Sequence, residues 1–128
     1  LSHPSIDENA EGYLLTKAGM QWFVGHYLGG TGISAGDVSV SPLASSPERL
    51  RRTASASVLI AGFDPLRDEG AAYATALQQA GVAAELRAFP GQIHGFFSLR
   101  VLIPEAEEAI GWIAQQLRSA FAYRITSC

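Results

Sequence analysis

The sequence predicts an α/β fold organised around parallel strands, and three observations along its second half carry that expectation. A continuous apolar run, Val58-Leu59-Ile60-Ala61-Gly62-Phe63, is the signature of an interior strand covered on both faces. Tyr73, Ala74, Leu77 and Ala80 then recur at helical spacing until Gly81, which is placed to end the helix in a left-handed cap. A second extended stretch, residues 83–89, puts Ala84, Leu86 and Ala88 on one face and Glu85 and Arg87 on the other, the pattern of a half-solvated strand nearer a sheet edge. Strand, helix and strand in that order make a βαβ unit, for which a right-handed crossover is the rule.

The flanking elements follow from the same signals. Thr16 can cap a helix in which Met20, Phe23, Val24, Tyr27 and Leu28 recur until Gly29-Gly30, and its apolar stripe predicts an amphipathic helix packed against the rest of the chain. Residues 29–57, rich in Gly, Ser and Pro, read as a loop. A last helix begins at Pro104, carries Glu105, Glu107 and Glu108 at its positive end, and stripes Ala106, Ile110, Ile113 and Leu117 along one side to cover a sheet face. Residues 122–128 have no interpretable pattern. The expected organisation is one domain over residues 1–128: a helix and loop segment (1–57), the βαβ unit with its C-terminal helix (58–121), and a tail (122–128).

Composition narrows the function classes. The 128 residues are 48% hydrophobic, which describes a globular domain or a piece of one. Nine basic against twelve acidic side chains give a net charge of −3, with no basic run longer than Arg51-Arg52, so nucleic acid is not an expected partner. No apolar run approaches the roughly 20 residues of a membrane-spanning helix, and Leu1-Ser2-His3-Pro4 does not resemble the start of a signal peptide. Cys128 is the one cysteine, which excludes an internal disulfide and a multi-cysteine metal site and fits a reducing, cytoplasmic compartment. His3 and His26 have no second ligand at metal spacing, so no metal is expected. Trp22 and Trp112 read as core or interface residues, and Arg51-Arg52 as a solvated loop.

Asp64 follows the first strand directly and His94 sits in the loop of residues 90–94 after the second. Both side chains are thereby delivered to the carboxyl ends of neighbouring parallel strands, the edge at which α/β sheets hold ligands. A carboxylate that accepts a hydrogen bond from one imidazole nitrogen leaves the other free to take a proton from a nucleophile. The plainer alternatives, at this level, are a turn-forming Asp and a surface His. Gly32-Ile33-Ser34-Ala35-Gly36 matches the G-x-S-x-G pattern, and the order Ser34, Asp64, His94 suits a hydrolase triad. An elbow, however, needs a strand entering the serine and a helix leaving it, and here helical residues and Gly-Gly precede a non-helical stretch, so Ser34 reads as a loop serine. The same stretch contains Gly30-x-Gly32-x-x-Ala35, a loose dinucleotide fingerprint that lacks its strand and acidic partner; no cofactor is expected.

A family resemblance adds to this reading. Phe63-Asp64-Pro65-Leu66-Arg67-Asp68-Glu69-Gly70, then Tyr73-Ala74, Leu77, Ala80-Gly81-Val82 and His94-Gly95-Phe96, resemble the C-terminal part of the hormone-sensitive-lipase-like esterases of the α/β-hydrolase superfamily. Upstream, residues 8–28 and Ser41-Pro42-Leu43 resemble that family's Trp-Phe and Tyr-Leu helix and its S-P-L loop, so nearly the whole chain is covered. The resemblance implies a Ser-His-Asp triad with Asp64 as acid and His94 as general base, Asp68 as a structural residue, and Gly95 and Phe96 shaping the loop and lining the edge of the substrate pocket. Two departures stand out: Gly62 replaces a common glutamate, and residues 51–56 replace a Pro-rich lead into the strand.

The family's G-D-S-A-G nucleophile motif and H-G-G-G oxyanion-hole motif do not occur in these residues. The resemblance therefore implies the C-terminal portion of an α/β-hydrolase with an incomplete sheet, part of a carboxylic-ester hydrolase for small acyl esters and inactive alone. The other reading is a non-catalytic interaction module derived from an esterase. In either case an unpaired strand edge at residues 58–63 should drive homo-oligomerisation or association with another chain.

Overall fold

The computed structural model describes residues 2–125, and only the last part of the sequence-defined tail, residues 126–128, together with Leu1, lies outside them. The elements in chain order are α1 (Ser5–Glu8), α2 (Lys17–Leu28), α3 (Pro47–Leu50), β1 (Ala56–Phe63), α4 (Arg67–Gln79), β2 (Ala84–Ile93) and α5 (Glu105–Ile125), with short 3-10 turns at Pro42–Ala44 and Phe96–Ser98. They fall into two units, Leu1–His94 and Gly95–Cys128.

In the first unit β1 and β2 pair in parallel and are joined by α4, as the apolar runs required. The α4 backbone comes close to β1 because Gly70 has no side chain; a Cβ there would stand 2.9 Å from Ile60 Cγ2. The helix ends as its sequence predicts. Gly81 takes φ +83°, its N–H bonds the Gln78 carbonyl, and Val82 N–H bonds the Leu77 carbonyl, the double closure of a Schellman motif. Val82 and Leu77 then join Leu50 and Ala80 in the core, with Tyr73, Ala56 and Ala84 packed around them.

The structure corrects several expectations. Of β1, only Ala61 is buried, and Val58, Leu59 and Ile60 are half-covered, because β2 is its one pairing partner among the described residues and a two-stranded sheet cannot bury both faces. β2 extends through Pro90 to Ile93 where a loop was expected. The ladder runs in step from Ala56↔Ala84 to Ala61↔Phe89, then resumes at Phe63↔Ile93, so β1 advances two residues while β2 advances four. This irregularity accommodates Pro90, which has no N–H to donate. Gly62 makes it possible, since a Cβ at that position would lie 1.9 Å from the Pro90 carbonyl oxygen.

Residues 29–57 are also more structured than a loop. Ser46 caps α3, accepting a hydrogen bond from Arg49 N–H, and Pro47 occupies the first turn. α3 exists to deliver Leu50 to the core. Arg51 is not merely solvated, as its Nε donates to the Ala80 carbonyl at the end of α4. Thr16 caps α2 through Gly19 N–H, and the helix stops at Gly29, both as expected. The packed stripe is not found: Met20 is buried, but Trp22 and Tyr27 are 60% and 71% exposed and Phe23 is similar. Trp22 is therefore no core residue; its ring lies against His26 on the same helix.

In the second unit, Ala106 and Ala109 of α5 are buried, while Leu117 at the far end of the expected stripe is exposed. α5 continues to Ile125 and so takes in the first residues of the sequence-defined tail, since residues 105–125 contain no proline to stop it.

Candidate active site

The end of β1 turns sharply into α4 through Asp64-Pro65-Leu66. Arg67 N–H bonds the Asp64 carbonyl at 3.0 Å, closing a four-residue turn with proline at its second position. One carboxylate oxygen of Asp64, Oδ1, accepts a hydrogen bond from Leu66 N–H at 2.9 Å, an Asx turn that fixes the side chain. The other, Oδ2, is left to face across the strand ends.

What it faces is His94. Because Phe63 pairs with Ile93, the residues that follow them, Asp64 and His94, stand side by side at the carboxyl edge of the sheet. His94 Nδ1 lies 2.9 Å from Asp64 Oδ2. The carboxylate is nearly buried, its side chain 12% exposed, and the imidazole is open at 41%. An Nδ1–H donating to the carboxylate leaves Nε2 unprotonated, the tautomer needed in a general base.

The two side chains border a cleft of about 360 Å³, lined otherwise by Pro42, Leu43, Leu59, Ile60, Leu66 and Tyr73 with Arg67, Glu69 and Gly70. The cleft is mostly apolar with a few convergent polar groups, the usual make-up of a small-molecule site. Pro42 and Leu43 come from the S-P-L loop, so that segment and the strand ends share one surface.

Arg67 anchors the turn from the other side. Its Nε and Nη2 bond Asp68 Oδ1 (2.8 Å) and Glu8 Oε2 (2.6 Å), and its Nη1 donates to the Gly62 carbonyl. The Arg67 hydrogen bond is the main reason that the Asp68 carboxyl is held below the usual aspartate range, with a further contribution from Ser5 N–H; Asp68 and then Glu8 hold the Arg67 guanidinium protonated more firmly than usual. Asp68 thus acts within the first turn of α4, bonded to Arg67 and Ser5, while Asp64 is the carboxylate bonded to the imidazole.

Ser34 does not belong to this constellation. It is exposed, its Oγ accepts from Gly36 N–H, no strand leads into it and no helix leaves it, and it is not among the residues lining the cleft. The glycines of the dinucleotide-like pattern have a local cause: Gly30 and Gly32 take φ +72° and +70°, turning the chain after α2. Gly95, directly after His94, has φ +76°, which explains the glycine of H-G-F. Phe96 is fully buried, in the second unit. Two polar residues not marked as site residues by any motif, Ser5 and Asn9, are buried against the Asp64 turn. Their partners at the turn and the start of α4 lie 55 to 63 residues away, so no local pattern marks them.

A family model described as the alpha/beta hydrolase fold matches residues 1–98. The chain belongs to the α/β-hydrolase family. Within it, the relatives are esterases of the hormone-sensitive-lipase-like kind. The chain is 46% identical over 88 residues to the carboxylic ester hydrolase LipN of Mycobacterium tuberculosis, covering 69% of this chain and 23% of that protein. It is 38% identical over 117 residues to an ethyl acetate hydrolase of Pseudomonas putida, covering 90% of this chain and 35% of that one. Among solved structures, an ester-hydrolase from the metagenome of Lake Arreo superposes with a TM-score of 0.85 at 36% identity, over 95% of this chain and 38% of its own. The chain therefore spans about a quarter to a third of the length of these curated relatives. No helix among the described residues is long and apolar enough to cross a membrane.

Proposed function

We propose that this chain supplies the acid and the base of a Ser-His-Asp triad in a carboxylic-ester hydrolase acting on small acyl esters, and that it is the C-terminal portion of such an enzyme, a single partial domain. The observation that carries the reading is the 2.9 Å approach of His94 Nδ1 to Asp64 Oδ2 at the edge of an apolar cleft. Asp64 holds the Nδ1–H tautomer and stabilises the imidazolium. His94 Nε2 takes the proton of a serine hydroxyl as that oxygen attacks the ester carbonyl, then returns it to the leaving alcohol. The serine and the oxyanion-hole donors belong to a segment outside these 128 residues, which contain neither G-D-S-A-G nor H-G-G-G. A cytoplasmic setting fits the single cysteine.

Among the described residues β1 pairs with β2 alone, which favours a second reading, association through the other edge of β1. A homo-oligomer in gel filtration at micromolar concentration supports it, and a stable monomer refutes it. The catalytic reading is tested by hydrolysis of a short-chain p-nitrophenyl ester by the purified chain beside its Ser34→Ala and His94→Ala variants. No activity above background in all three is expected. Activity that both substitutions abolish would make Ser34 the nucleophile and overturn the assignment of the serine to another segment.

A further inference from the structure

Resting on Asp64 and His94 as acid and base, we propose that Ser5 and Asn9 are positioning residues of that pair, clasping the Asp64-Pro65-Leu66 turn from a segment some 60 residues distant. Ser5 is fully buried and Asn9 is 4% exposed, an unusual setting for two short polar side chains unless each is bonded. Each is. Ser5 Oγ donates to the Pro65 carbonyl at 2.7 Å and accepts from Asp68 N–H at 3.1 Å, while Ser5 N–H donates to Asp68 Oδ2 at 2.9 Å. Asn9 Nδ2 donates to the Asp64 carbonyl at 3.3 Å and to the Ser5 carbonyl at 3.4 Å.

Two consequences follow. α4 has no cap from its own flanking residue Leu66, and Ser5 fills that role across the fold by accepting the N–H of the second helical residue. The carbonyls of Asp64 and Pro65, the two peptide groups whose orientation decides where the Asp64 carboxylate points, are both held by α1 and its C-terminal flank. The same strap is tied outside by Glu8 to Arg67 and by Tyr13, whose ring stacks on Phe63 at 5.0 Å. The strap and the turn thus form one clamp whose output is the direction of Asp64 Oδ2 toward His94.

The test is the ring tautomer of His94, read in the ¹⁵N-labelled chain from long-range ¹H–¹⁵N correlations at mildly alkaline pH and assigned with His94→Ala. Wild type is expected to hold the proton on Nδ1; a wild-type ring protonated on Nε2 would defeat the acid–base reading itself. Given the Nδ1–H form, Ser5→Ala and Asn9→Ala together are expected to lower the Nδ1–H to Nε2–H ratio by roughly tenfold, the effect of losing a charge-assisted hydrogen bond. Leu50→Ala, which loosens the core away from the turn, leaves the ratio unchanged. Asn9→Ala alone, removing the longer bonds, keeps the fold and lowers the ratio by a smaller factor, so the outcome does not depend on the double variant folding. An unchanged ratio in Asn9→Ala, or an equal change in Leu50→Ala, overturns the proposal.

Discussion

Phe63 pairs with Ile93 across the parallel ladder, two residues further along β2 than the Ala61↔Phe89 register would place its partner. In step, Phe63 would have met Gly91. At about 3.3 Å per residue, His94 would then stand some 7 Å beyond the Asp64 carboxylate, out of hydrogen-bonding range. The slack taken up around Pro90 is what brings acid and base together, and it fits only because Gly62 has no side chain.

Gly62→Ala is accordingly expected to destabilise the chain by about 1–3 kcal/mol in chemical denaturation, since its Cβ would strike the Pro90 carbonyl. Gly91→Ala, whose Cβ meets nothing within 4 Å, is the neighbouring control and should be close to neutral. Equal effects of the two would remove the close approach as the reason for glycine at position 62.

Gly81→Ala places a Cβ in a left-handed residue of the Schellman closure and is expected to cost about 1 kcal/mol. Leu77→Ala, in the fully buried core beneath it, should cost about 2–5 kcal/mol. Thermal or denaturant unfolding checks both, and a Leu77→Ala effect below that of Gly81→Ala would contradict the assignment of the core.

Acid should loosen the strap before the core. The Asp68 carboxyl is held below the usual aspartate range, first by Arg67 and also by Ser5 N–H. A carboxyl with a lowered folded-state value adds stability that is present above its unfolded value and is lost as pH falls through the folded one. The Ser5 amide resonance, reporting its bond to Asp68 Oδ2, is expected to titrate with a midpoint below that of an ordinary aspartate, and Arg67→Ala should move the midpoint upward. A Ser5 amide that does not respond to acid would show that the bond is absent in solution.

How far the sequence revealed this depends on the range of the interactions. The β1 run, the Gly81 stop, the Thr16 cap and the residues Asp64 and His94 at strand ends were legible because each is announced within a few neighbours in the chain. The extension of β2 through Pro90 was not, because proline and glycine read locally as a loop and only the facing Gly62 makes room for them. α3 was hidden in a Gly- and Ser-rich stretch, although Ser46-Pro47 is a cap and first-turn pair in hindsight. The exposure of Trp22 and Tyr27 could not be read either, as spacing identifies an apolar face but not what covers it. Ser5 and Asn9 were invisible for the plainest reason: their bonds to the Asp64 turn and to Asp68 span more than fifty residues.

The most direct test joins the chain to what it is proposed to lack. Replacing the matching third of the Pseudomonas putida ethyl acetate hydrolase with these residues gives a chimera whose hydrolysis of a short-chain ester can be followed with and without His94→Ala and Asp64→Asn. The expected result is an active chimera that loses roughly 10³- to 10⁴-fold in kcat on either substitution, with Ser34→Ala unchanged. A chimera whose activity survives His94→Ala would contradict the assignment of this pair as the acid and base.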